Sequence, residues 1–341
     1  RTWIWKYAST RVQPVTGGFE VCTAMKFIPS LITMLLFIAL PIVSVVVQSL
    51  HIEHEAVLNE VENCGPFGCK KELIINVEET KKLKLESPLG QFNGLKTYTN
   101  RNHLAFEEIQ QSWSQSDSIS GFISNTLNLP FYRALAFTLT YTFVVTPFVL
   151  FFGFLIALGV NSLPKTMKGP TIFVSLLPMI VTPLIGSLIL FWMIDAQGII
   201  GSILQRIFDD PNLSLKASPT LTWVMLMVYG IWHSSPFAFI VFYAGLQTVP
   251  SDTIEAAMID GASRWERTKY VVLPHLMPLT IFILLIQLMD NFRVFEPIVG
   301  FSAQANATSL SWIIYNDISN NEDQFFGSAG ATSVEGIAGN A

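Results

Sequence analysis

An otherwise apolar stretch carries five groups that water would normally keep: Gln287, Asp290, Asn291, Arg293 and Glu296. Amides, carboxylates and a guanidinium at that depth cost free energy, so a functional role is their default reading. The chemistry they offer is recognition by hydrogen bonds and charge rather than bond-making. Asp290 and Arg293 stand at i,i+3 and can pair on one helix face, so a pair that steadies the bundle and a ligand contact both remain open. Phe292 and Phe295 interleave with the polar groups, the mixture of aromatic faces and planar polar groups that binds sugars. Tyr229 and Trp232 are further candidates for a path through the membrane. Trp192 and His233 are weaker ones, explained as well by an interfacial aromatic belt and a bond within the bundle. Nothing points to catalysis: the five histidines are scattered without an HExxH, and no GxxxxGK[ST] phosphate loop occurs. No metal site is expected, since Cys64 and Cys69 of CGPFGC alone make a weak one. A local disulfide between them and a pair of free thiols are both open, the former requiring an oxidising compartment.

The second notable run is PSDTIEAAMIDGASRW, polar and punctuated, at Pro250–Trp265. It predicts two short helices joined at a glycine. Asp252 is placed to cap the first, with Glu255 completing a capping-box pair. Gly261 supplies the turn and Ser263 caps the second helix. Pro274 then marks the start of the next apolar stretch. Ala257 and Gly261 lie one turn apart, so a partner backbone can approach closely, and Asp260, Arg264 and Arg267 offer charge to orient it. By spacing alone, a solvated hairpin between two spans explains the same residues.

The elements that must position these groups are membrane helices. Of 341 residues 51% are hydrophobic and 13% charged, against about 25% charged in soluble domains. No Asp, Glu, Lys or Arg occurs in 27–52, 134–164, 170–194, 217–251 or 270–289, and each stretch can supply the roughly 20 apolar residues that a span requires. The expected architecture is an all-α polytopic membrane protein. It comprises an N-terminal segment 1–26, spans at 27–50, 131–160, 171–194, 220–247 and 276–299, and connections at 51–130, 161–170, 195–219, 248–275 and 300–341. The run at 27–50 exceeds a signal-peptide core and reads as an anchored helix. The sequence begins at Arg1 without Met, so residues upstream are expected. In the third span Pro178 and Pro183 are expected kinks, and GIIGSILQRIF in 195–219 is expected to lie along the membrane surface. Within 51–130, KELIINVEE and LKTYT are candidate short strands. Basic residues in 1–26, 161–170 and 248–275 place all three on the cytoplasmic side. The remaining connections then face outward, including 51–130 as a small extracytoplasmic insertion. The net charge of −5 says little about partners.

The order E-A-A, three residues, G, then L-P falls here on Glu255, Ala256, Ala257, Gly261, Leu273 and Pro274. It resembles the EAA loop of permease subunits from binding-protein-dependent ABC importers, and the D-G-A at Asp260–Ala262 is typical of the maltose-type carbohydrate branch. YGIWHSSPFAFIVFYAGLQTVPSD and SLLPMIVTPLIGSLILFWMIDAQGIIGSIL are similar to that family's fourth- and third-span blocks, so the resemblance covers roughly 130–300. It implies a type I ABC importer permease fold in a bacterial cytoplasmic membrane, with the N-terminus in the cytoplasm. It also implies a second permease, two ATPase subunits and an extracytoplasmic solute-binding protein as partners, with no nucleic acid. The loop would seat in an ATPase cleft through Glu255, Ala256, Ala257, Asp260, Gly261 and Arg264. ATP and Mg would belong to that partner, with no cofactor on this chain. The family's sugar contacts would fall on Asp290, Asn291 and Phe292. Two departures stand out. The glycine-rich T-x-GGP stretch is replaced by IVGFSAQANATSLSWIIYND, and FFGSAGATSV reads as the start of a final helix cut short. Another small polar cargo, such as a glycerol phosphate or a polyamine, remains open. A secondary transporter would show inverted repeats, and a membrane enzyme a convergent reactive site; neither is visible.

Overall fold

A computed structural model describes residues 28–340 except 53, 55–56, 66–67, 88, 117, 211–213, 215–218 and 320–325. The basic segment 1–26, with Cys22, lies outside the described residues. The first helix, α1 (Ile28–Ser49), is apolar along its length and long enough to span. A π-helical turn at Leu35–Ala39 stands just ahead of Pro41. Widening the helix there relieves the clash between a proline ring and the carbonyl four residues back.

The insertion that follows mixes strands and short helices. β1 (His51–Ile52) pairs antiparallel with β4 (Gln91–Phe92), and β2 (Leu58–Gly65) with β3 (Gly68–Ile75). KELII is strand as expected, but Asn76 then caps α2 (Val77–Glu86), its side chain accepting from the Glu79 amide. LKTYT is not a strand. Gly94 takes a left-handed φ of +59° and Lys96–Thr99 closes into the short helix α3. The Asn93 amide donates to the Thr97 hydroxyl there, so local turn chemistry overrides β-propensity. Cys64 and Cys69 face each other across the β2–β3 ladder in backbone register; their side chains lie outside the described residues. The amphipathic pair α4 (Phe106–Gln115) and α5 (Ile119–Leu127) leads into the membrane domain.

That domain is built on α6 (Pro130–Ser162), α10 (Pro219–Leu246) and α12 (Arg264–Phe292), each long and apolar enough to cross a membrane. Between α6 and α10 lie α7 (Lys165–Ile180), α8 (Pro183–Met193) and the short apolar helix α9 (Ile199–Phe208). The core joins Phe137, Val145 and Val149 of α6 to Leu226, Ala238 and Phe239 of α10 and Leu276 and Ile283 of α12. Close approach rests on small residues. A Cβ on Gly153 would sit 2.5 Å from that of Ala238.

Three boundaries differ from the sequence expectation. The connection at 161–170 shrinks, because α7 already begins at Lys165, capped by Pro164. The third span is broken rather than kinked: α7 and α8 meet at 92°. Val181 and Thr182 are extended, as the residue before a proline prefers. Pro178, by contrast, is carried inside α7, and its carbonyl accepts from His233 Nδ1 at 2.9 Å. The fifth span starts far earlier than 276. It is continuous with the second arm of the hairpin and ends at Phe292, while Glu296 opens a separate short helix, α13 (Glu296–Gly300).

The chain continues through α14 (Leu310–Ser319) to α15 (Phe326–Asn340), so FGSAGATSV is helical; Phe325 lies outside the described residues. α15 packs on α1, where Gly330 meets the Val45–Ser49 backbone. His103 of the insertion is buried against it, bonding Ser328 Oγ at 3.1 Å and lying 3.5 Å from Glu335 Oε2.

Candidate functional site

An α-helix turns about 100° per residue, so Gln287, Asp290 and Asn291 at i, i+3 and i+4 share one face of α12. They open onto a cavity of about 590 Å³ where α6, α7, α8, α10, α12 and α13 converge. Tyr141, His233, Ser234, Arg293 and Glu296 complete its polar lining. Arg293 caps the end of α12 and donates from Nη2 to Asp290 Oδ1 at 3.0 Å, the i,i+3 pair that the spacing allows. Both members are more than half exposed to the cavity. Asn291 is buried and donates from Nδ2 to Thr146 Oγ1 on α6 at 2.9 Å, tying two walls together. Gln287 is 3% exposed, and its Oε1 has no hydrogen-bond partner among the described residues.

Phe292 does not reach this cavity. It lies five residues from Gln287, about 140° around the helix. It packs, 9% exposed, with Phe131, Ala134 and Leu310 in a separate apolar cluster. Trp232 lines a second cavity of about 520 Å³, apolar and walled by Phe152, Val174 and Pro178. Tyr229 is buried behind the polar cavity, where its hydroxyl donates to the Pro183 carbonyl at 2.8 Å and its ring stacks on His233. It positions the wall and does not line it. Trp192 is exposed outside the cavity. Tyr141 and Ser234 carry no sequence signal, because their place in the lining follows from how α6 and α10 cross α12.

The hairpin is built as two arms, α11 (Ser251–Ile259) and the start of α12. Of its two expected caps, Ser263 forms and Asp252 does not. Pro250, extended at φ −62° and ψ 129°, precedes α11 without a side-chain bond, so Asp252 is a first-turn residue and not the cap. The capping box forms instead at Ser263 and Glu266, with the Glu266 carboxylate accepting from the Ser263 amide at 2.7 Å. Gly261 supplies the turn at φ +78° with open space around it. Pro274, expected to start the span, is absorbed by a π-turn at Thr268–Val272, the same device that precedes Pro41 in α1.

Glu255, Ala256, Asp260, Gly261 and Arg264 are exposed and Ala257 is half-buried, so all the expected docking positions fall on one projecting hairpin. The sequence reading left out Ile259, 87% exposed, and overlooked the exposure of Trp265, at 73%.

The arm carrying Arg264 and the face carrying Gln287 and Asp290 belong to one 29-residue helix, α12. At 1.5 Å per residue it is about 43 Å long. A force applied at the hairpin therefore reaches the cavity wall without crossing a loop.

Residues 118–295, just over half of the chain, match the family described as the binding-protein-dependent transport system inner membrane component. The chain is similar to the trehalose/maltose transport system permease protein MalF of Thermococcus litoralis, 30% identical over 185 residues. These make up 52% of this chain and 61% of that protein. It is also similar to the sn-glycerol-3-phosphate transport system permease protein UgpA of Brucella suis, 31% identical over 229 residues, which are 62% of this chain and 76% of that one. Its fold is similar to that of a chain in a bacterial ABC transporter involved in the import of the acidic polysaccharide alginate. The TM-score is 0.55 at 21% identity, over 69% of this chain and 84% of that one. The projecting hairpin, the helix that continues from it and these matches agree, and the chain belongs to the family of binding-protein-dependent transport system inner membrane components.

Proposed function

We propose that this chain forms half of the translocation path of an ATP-driven importer for a saccharide. Its hairpin is the handle by which an ATPase moves that path. A second permease completes the path, two ATPase subunits bind ATP and Mg, and a soluble binding protein delivers the cargo to the outward side. The observation that carries this reading is the continuity of α12 from the hairpin to the cavity. Closure of an ATPase dimer on the hairpin would swing α12 as a rigid body and open the cavity to alternate sides. Docking falls to Glu255, Ala256, Ala257, Asp260, Gly261 and Arg264, joined by Ile259 and Trp265. Cargo contacts fall to Gln287, Asp290, Asn291 and Arg293. The trehalose/maltose relative supports a sugar cargo, and the sn-glycerol-3-phosphate relative keeps a phosphate ester as the second reading.

The test is uptake into proteoliposomes that hold this chain with its partner permease, ATPase and binding protein. Accumulation of a labelled saccharide against its gradient should require ATP; accumulation without ATP would contradict the reading. Asp290→Ala removes the partner of Arg293 in the cavity wall. It is expected to lower substrate-stimulated ATPase activity by up to about fivefold, the worth of a solvated pair; unchanged stimulation would take Asp290 out of the path.

The orientation proposed for the family member is N-terminus in the cytoplasm. In a chain freed of its own cysteines, a cysteine placed within 161–170 should react with an impermeant maleimide only after permeabilisation. One placed within 80–100 should react in intact cells. The reverse pattern would invert the topology.

A further inference from the structure

We infer that His103 and Glu335 form a proton-binding site that locks the insertion to α15. The inference goes beyond the importer reading and holds whichever cargo is carried. Residues 98–105 of the insertion are wedged among three helices. Tyr98 shares a hydrogen bond with Ser49 of α1 at 2.6 Å, and Tyr132 of α6 donates to the Leu104 carbonyl at 2.9 Å. Ala105 closes the wedge at φ +45°, fully buried, a backbone state that a residue with a Cβ holds only under constraint. From this wedge His103, 2% exposed, reaches α15.

The hydrogen bonds fix where a proton is needed. Ser328 donates its one hydroxyl hydrogen to Asp317 Oδ2 of α14 at 2.7 Å, so its oxygen accepts from His103 Nε2 at 3.1 Å. In an uncharged ring Nδ1 is then a bare lone pair. It faces Glu335 Oε2 at 3.5 Å, within ion-pair reach. Both Glu335 oxygens are buried and have no hydrogen-bond partner among the described residues. Thr332 Oγ1, also 3.5 Å from Nδ1, can donate to the ring but leaves the carboxylate as it was. A buried, unpartnered anion beside a lone pair is strongly disfavoured. One added proton relieves both, either as an imidazolium beside a carboxylate or as a neutral acid facing the ring.

No described neighbour supplies that charge instead. Helix α1 carries no charged residue, Lys96 of α3 is exposed, and Arg133 of α6 donates to the Ala305 carbonyl. Asp317, Tyr98 and Tyr132 are engaged as above, and His51 of β1 bonds the Val47 carbonyl. Tyr315 of α14 is half exposed and packs on Phe295. The docked state therefore holds a proton that the separated groups give up, because a solvated histidine is uncharged above about pH 6.5 and a solvated glutamate is ionised there. Acid favours docking, and above that pH the ratio of docked to released insertion falls by up to about tenfold per unit. In the orientation proposed above the insertion faces outward, so external pH sets the lock.

The experiment uses the assembled transporter in nanodiscs. The cysteines of this chain are replaced by serine, and nitroxide labels are placed on Arg101→Cys and Ile337→Cys, both at exposed positions. The distance between labels is read by electron paramagnetic resonance from pH 6 to pH 9. A single short distance is expected at pH 6, with a longer one gaining on it by up to about tenfold per unit above pH 7. Glu335→Gln puts an amide donor where the proton was, so it should keep the short distance to pH 9. His103→Gln, whose amide donates to Glu335 without titrating, should do the same, and it carries the test if Glu335→Gln fails to assemble. His103→Leu should show the longer distance at every pH. A distance that ignores pH with His103 and Glu335 intact, a glutamine variant that keeps the pH dependence, or a docked His103→Leu overturns the inference. Loss of ATP dependence in the uptake assay would instead strike the importer reading, so the two failures are distinguishable.

Discussion

Gly261→Asp should reduce ATP-driven uptake by at least about tenfold while the chain still inserts and pairs with its partner permease. The turn holds Gly261 at φ +78°, and the Ala262 amide bonds the Ala257 carbonyl at 3.0 Å across it. A side chain in the left-handed region costs roughly 1–2 kcal/mol, enough to shift a docking equilibrium about 5–30-fold. The new carboxylate also stands next to Asp260 on the docking face. Nothing lies within 4 Å of a Cβ built there, so the folded membrane domain is not disturbed. Gly261→Asn separates shape from charge, because asparagine tolerates this backbone region. It should retain more activity than the aspartate. Normal uptake by Gly261→Asp would remove the docking role from this turn.

The second large effect is steric and acts on the fold. Gly153→Leu should destabilise the membrane domain by about 3 kcal/mol, at the upper end of overpacking costs, read as a lower unfolding temperature in detergent. The obstacle is backbone: besides Ala238 Cβ, the added atom would meet the Phe239 amide nitrogen at 2.9 Å, so the α6–α10 crossing must widen. Gly153→Ala should give a smaller loss. Gly159, on the same helix with nothing within 4 Å, is the control, and Gly159→Leu should be close to neutral. Equal losses at the two positions would mean that α6 and α10 do not cross as described.

What could be read in advance follows from which interactions are local. The apolar runs of α1, α6 and α10 declare themselves by composition, and the structure moves their ends by only a few residues. The turn at Gly261, the cap at Ser263 and the Asp290–Arg293 pair depend on neighbours within four residues, and all three are present. Phe292 could have been excluded from the cavity by helical periodicity, had the face of Gln287 been drawn first. Two features were out of reach for a physical reason. Whether a proline ends a helix or is carried through it depends on the π-turn before Pro274 and on the bend before Pro183, and neither has a residue signature of its own. Likewise, Thr146 meets Asn291 across 145 positions of sequence, and His103 meets Ser328 across 225. Such pairs are set by helix crossings and by the docking of the insertion, not by any local pattern.

The continuity of α12 is the claim with the most at stake. It is tested most directly by a cysteine at Ala257, oxidatively crosslinked within the assembled transporter, with a spin label on α12 beside Asp290. The account predicts that the hairpin crosslinks to the ATPase subunit and that ATP still shifts the label in the crosslinked complex, because a continuous α12 moves with the subunit that holds its hairpin. A hairpin that never reaches the ATPase, or a label that stays still when ATP binds the crosslinked complex, would contradict it.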